Sequence, residues 1–151
     1  MSSKLVRFQS WLAGLWAGVI VGVGGIAAPS LFSVFDDRHM AGLGAGRIFS
    51  VEAKVSLALA MVLFVIERRR VRDLAETKGE GTLGMTTQLL LVLGALFLTV
   101  FGQFAIHPMI EAAKVGQPTP LSFAALHGIS AGMFWLKGVL VMLLAWQLTA
   151  R

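Results

Sequence analysis

Four apolar blocks, at about 8–35, 44–66, 84–106 and 121–148, constrain this chain more than any other feature. Each is about as long as the ~20 residues that cross a bilayer. Within lipid a segment must be helical, because no other single strand of backbone satisfies its own polar groups. The reading is therefore all-α: a polytopic membrane protein, a four-helix transmembrane bundle, with 1–151 as a single domain. The composition agrees, since 56% of the residues are hydrophobic and only 14% charged, against roughly a quarter charged in soluble domains. There are no cysteines, which excludes disulfides, thiolate metal sites, iron–sulfur clusters and cysteine nucleophiles. The first block is too long for a signal-peptide core, and Pro29 follows its only small-residue cleavage point, so the expectation is that the mature chain keeps it.

Basic residues set the expected direction. Lys4, Arg7, Arg68, Arg69, Arg70, Arg72, Lys78 and Arg151 fall on one side, against Arg38, Arg47 and Lys114 on the other. The positive-inside rule then places both termini in the cytoplasm. Trp11, Trp16 and Trp146 lie toward that face as interfacial anchors, with Trp135 deeper. The net charge of +5 is assigned to topology and to lipid headgroups at Arg68, Arg69, Arg70 and Arg72, not to nucleic acid. Good helix formers run through this segment until Gly79 and Gly81, so the second helix is expected over 44–77 with a cytoplasmic extension. The third is expected over 84–107, and the fourth over 120–149 with Thr119 as N-cap and Pro120 in the first turn. Asp36 to Leu43 is expected to be a loop.

Two faces carry small residues every fourth position: Gly14, Gly18 and Gly22, and Ala124, Gly128 and Gly132. Such faces let helices approach closely; the expected role is packing within the bundle, with a homodimer seam as the alternative. Gly22-Val23-Gly24-Gly25-Ile26-Ala27 matches a dinucleotide fingerprint in letters alone. It lacks the strand and the downstream acid of that motif and is discarded.

Ionisable residues within a span are functional candidates by default. Glu52 and Lys54 lie in the second block, His127 and Lys137 in the fourth, and His107 near the outer end of the third. At 1.5 Å per residue Glu52 sits roughly 10 Å below the outer boundary, and Gln103, His127 and Pro29 fall near the same layer. Glu52 and Lys54 are about 200° apart on their helix, so Lys137 or His127 is the better partner for Glu52. His107 and His127 have two readings: ligands to a metal or haem, or helix-capping and hydrogen-bonded residues, with His107 closing the third helix before Pro108. Ser30, Ser56 and Ser130 read as helix-packing residues.

Gly24-Gly25-Ile26-Ala27-Ala28-Pro29-Ser30-Leu31-Phe32, Ala45-Gly46-Arg47-Ile48-Phe49, His107-Pro108 and Phe123-Ala124-Ala125-Leu126-His127-Gly128-Ile129-Ser130 together resemble the transmembrane protein 205-like family, domain of unknown function 4149. The resemblance runs from the first helix to the last, with matches at Pro29, Phe32, His107, Pro108, His127 and Ser130. It implies a small four-span membrane protein and no particular activity. Lys54 and Lys137 are not part of that pattern. A Leu-His pair at the start of a helix is also similar to the copper-resistance D family and to protoporphyrinogen-oxidase-like membrane haem proteins, which implies haem or copper as a cofactor.

The sequence thus supports a non-enzymatic accessory or assembly subunit of the inner membrane, with the lipid bilayer and other membrane subunits or a second copy as partners. One alternative is a haem- or metal-binding protein using His107 and His127, with Glu52 beside them. Another is a small transporter using Glu52, Lys54 and Lys137.

Overall fold

The computed structural model describes residues 3–78 and 84–150. The described residues are helical apart from short connections: α1 (Ser3–Val21), a wide-turned π segment (Gly22–Ala27), α2 (Ala28–Val34), α3 (Arg38–Lys78), α4 (Thr87–Phe101), a second π segment (Gly102–Ile106), α5 (His107–Lys114) and α6 (Phe123–Thr149). They make four helices long and apolar enough to cross a membrane: Lys4–Val34, Arg38–Thr77, Thr87–Lys114 and Phe123–Thr149.

Both interrupted spans have the same cause. Proline lacks an N–H and its ring crowds the carbonyl four residues back. The residue before each proline donates instead to the carbonyl five residues back, Ala28 to Val23 and His107 to Gly102. The widened turn lets the helix run on through Pro29 and Pro108. The Gly22–Ala27 string that mimics a dinucleotide fingerprint is the first of these π segments. His107 accordingly does not close the third helix, which continues to Lys114. There Gly116, at φ +73°, takes the left-handed conformation that ends helices, and Gln117 N–H reaches back to the Ala112 carbonyl at 3.0 Å.

The other boundaries follow from caps. Asp37 Oδ1 accepts from His39 N–H at 2.7 Å, so α3 starts at Arg38 and the expected loop over Asp36 to Leu43 shrinks to 35–37. The Thr86 hydroxyl accepts from Leu89 N–H at 3.2 Å and starts α4 there, not at Gly84. The cap of α6 is Ser122, which accepts from Ala125 N–H at 3.2 Å, whereas Thr119 donates to the Leu121 carbonyl. α3 is one helix of 41 residues, about 60 Å long, and projects well beyond the bundle. The expected stop at Gly79 and Gly81, and Arg151, lie outside the described residues.

α1 packs against α6 and α3, and α4 packs against α3 and α6, leaving α3 and α6 on a diagonal. Residues of all four spans meet at the end that carries both termini, where Gln9 bonds Glu67, Thr86 bonds Glu67, and Gln88 bonds Gln147. The core is lopsided. Its main cluster, including Leu12, Trp16, Ile20, Leu63, Val92, Val141 and Leu144, fills the half toward the termini. The opposite half has a smaller cluster, Ile106, Ile110 and Leu126, and the other buried apolar side chains there are small, Ala28, Ala41 and Ala45. Large apolar side chains such as Phe104 and Ile26 cover the outside, as a lipid-facing surface requires.

The small-residue faces lie on that outside. A Cβ added at Gly14, Gly18, Gly22, Gly128 or Gly132 meets no neighbouring atom within 4 Å, so these glycines do not bring the helices of this chain together. The close approach is made elsewhere, at Gly24, where a Cβ would run into the Phe134 ring, and at Gly138, 3.2 Å from Ile20.

Candidate functional site

The half of the bundle away from the termini holds an open-mouthed cavity of about 680 Å³, within the usual range for small-molecule sites. Both π segments border it, through Gly24 and through Gly102 and Gln103. Single π turns within helices recur at functional sites because they turn side chains and free carbonyls out of the regular helical register. Phe32, Phe49, Phe123, Phe134 and Trp135 make much of the wall, and Arg38, Glu111 and Lys114 stand near the helix ends.

The cavity reaches inward to Glu52 and Lys137. Lys137 Nζ donates to both Glu52 oxygens at 2.8 Å, crossing the diagonal between α3 and α6. Their residues are 3% and 4% exposed, and separating two such charges from water is costly unless each is fully bonded. The remaining valences are filled locally. Ser56, one turn along α3, donates to Glu52 Oε1, and Trp16 Nε1 donates to the Ser56 hydroxyl at 2.7 Å. The Lys137 ammonium also lies 5.0 Å from the Phe134 ring centroid, a favourable cation–π distance. Three helices are thereby joined by one charged network.

A family described as a domain of unknown function, DUF4149, matches residues 11–118. The chain belongs to the DUF4149 family. No curated protein and no solved structure matches it. The family match takes in the first span from Trp11 onward, the second and third spans, and most of the cavity wall, including Glu52, Gln103 and His107. His127 and Lys137, which complete this DUF4149 protein's cavity from α6, lie beyond the matched stretch.

Of the residues singled out in the sequence, Glu52, Lys137, Gln103, His107, His127, Pro29 and Ser130 all line this cavity. His107 Nε2 is 3.9 Å from Glu111 Oε1, and Glu111 also bonds Lys114 at 2.8 Å. His127 stacks on Phe123, with centroids 5.9 Å apart. Among the described residues no three His, Asp or Glu side chains gather as a metal-ion cage. Lys54 stands apart from the cavity on the outer surface of α3, away from the Glu52 network. Arg70 is held by Glu67 at 2.6 Å and is only 15% exposed, so it is withdrawn from the lipid-headgroup set; Arg68, Arg69 and Arg72 remain exposed.

Sequence reasoning missed three participants. Trp16 was expected at the interface, yet it is buried and bonded to Ser56, and Ser56 is more than a packing residue. The second buried carboxylate, Glu67, accepts from Gln9, Arg70 and Thr86 at the end that carries the termini. The available signal was helical spacing: Glu52 and Ser56 are one turn apart, and Glu67 and Arg70 are three residues apart.

Proposed function

We propose that this DUF4149 protein is a small-molecule-binding protein of the inner membrane, with both termini cytoplasmic and no chemistry of its own. The single observation that carries this reading is the cavity that ends on the Glu52–Lys137 pair. A chain built only to span lipid has no reason to leave a cavity of about 680 Å³ between its helices, because each void forfeits packing. Placing the basic side in the cytoplasm turns the cavity toward the outer face. The accessory or assembly role is the use such binding serves, and the open glycine faces of α1 and α6 leave surfaces for a second subunit.

Native mass spectrometry of gently extracted protein tests this. A small molecule is expected to remain bound to the wild type and to be lost in Gly42→Trp, a substitution that places a large ring where nothing lies within 4 Å of a new Cβ. Bare protein from both, after extraction with several mild detergents, contradicts the reading.

The placement of His107 and His127 on one cavity favours a second reading, in which the small molecule is haem held through imidazole nitrogens. Two histidines with apolar walls suit a porphyrin better than a bare ion. This reading expects a Soret band that disappears in His127→Ala and survives Lys137→Met. A colourless protein that retains its small molecule rules it out.

A further inference from the structure

We propose that the cavity takes a single-chain amphipath with one negative charge, a long-chain carboxylic acid, whose carboxylate lies at Arg38 and whose chain lies along the aromatic wall. The inference rests on the small-molecule-binding reading above and adds the ligand's chemistry. It comes from the charges that line the cavity. Two of the three cations are already neutralised by acids that line it too: Lys137 by Glu52 at 2.8 Å and Lys114 by Glu111 at 2.8 Å. Arg38 is left over; among the described residues it makes no hydrogen bond or ion pair, and Asp36 and Asp37 beside it in sequence form none with it. Its guanidinium is exposed at the end of a largely apolar cavity, available to one anionic group, and its planar fork suits a carboxylate.

The walls fix the rest of the molecule. Phe49 and Phe134, both partly buried, and the more exposed Phe32 and Phe123 line the cavity, which favours a chain and disfavours a small hydrophilic anion. About 680 Å³ accommodates one long chain with its headgroup and is too small for a diacyl lipid. The inner end is closed by Glu52 and Lys137, which satisfy each other, so the ligand's charge belongs at Arg38.

Trp135 lies on the cavity wall and supplies the readout. In a Trp11→Phe, Trp146→Phe background, which removes two exposed indoles, the purified protein is titrated with dibrominated stearic acid, its methyl ester and dibrominated phosphatidylglycerol. Saturable quenching by the acid is expected, with the ester about tenfold weaker for want of the charged hydrogen bond. Arg38→Gln removes the difference between acid and ester, Arg38→Lys keeps most of it, and Arg47→Gln, outside the cavity, leaves it unchanged. Equal saturable quenching by acid and ester overturns the anionic assignment while leaving the cavity reading intact. Tighter saturation by phosphatidylglycerol overturns the single-chain assignment. No saturable quenching by any of the three, with the folded state confirmed, overturns both this inference and the reading on which it rests.

Discussion

Lys137→Met lowers the stability of the folded protein by about 3 kcal/mol, the cost of leaving a buried carboxylate without its counter-charge. Glu52 has Ser56 as its other bonded neighbour, and one hydroxyl does not replace an ammonium that contacts both oxygens at 2.8 Å. Adding Glu52→Gln to Lys137→Met removes the stranded charge and recovers most of the loss, since an uncharged pair of similar volume is often no worse than a buried ion pair. The non-additivity is the diagnostic quantity. It is read from denaturant unfolding of the two single variants and the double variant in the same bilayer mimetic. Single variants indistinguishable from the wild type would show that the pair contributes nothing.

Glu67→Leu has the second large effect, at the opposite end of the bundle. Glu67 is fully buried and accepts from Gln9 at 2.9 Å, Thr86 at 3.0 Å and the Arg70 guanidinium at 2.6 Å. Leucine fills much of the volume but strands those donors, Gln9 with no exposure and Arg70 with little. The expected loss is about 2–4 kcal/mol. Because Thr86 also caps α4, amide hydrogen exchange quickens first at Leu89 and Leu90. Unchanged exchange there, with an unchanged unfolding midpoint, contradicts the role assigned to this cluster.

The fold was legible because lipid leaves so few solutions: four apolar blocks of bilayer length allow little besides four helices. Boundaries were harder. Pro108 reads as the place where the third helix ends, and local spacing gives no sign that a π turn carries the helix past it, as another does past Pro29 in the first span. The glycine repeats misled for a related reason. Spacing shows that a helix has a smooth face, but not which way that face points, and the faces with Gly14 and Gly128 point outward.

The candidate site was partly legible. Ionisable residues in a span announce themselves by their cost, and the 200° between Glu52 and Lys54 argues that they serve different surroundings. Lys137 in fact reaches Glu52 across the bundle, while Lys54 faces outward. What the sequence could not reveal was the void. A cavity is a property of how helices splay, and its wall draws on all four spans, from Gly24 to Lys137. The same limit hid Trp16, an interfacial residue by sequence position and a hydrogen-bond donor to a buried serine by packing.

The absence of cysteine allows one measurement to reach the central claim directly, because any introduced thiol is the sole reactive one. Ala53→Cys places a thiol on the cavity wall next to Glu52, and Ala58→Cys places one on the exposed surface of the same helix. A membrane-impermeant methanethiosulfonate reacts with a thiolate, which forms only where water has access. A water-accessible cavity open to the outer face predicts that Ala53→Cys is modified when the reagent is added outside intact cells stripped of their outer layers, and that Ala58→Cys is not. Modification of Ala58→Cys alone, or of Ala53→Cys only from the cytoplasmic side, contradicts it.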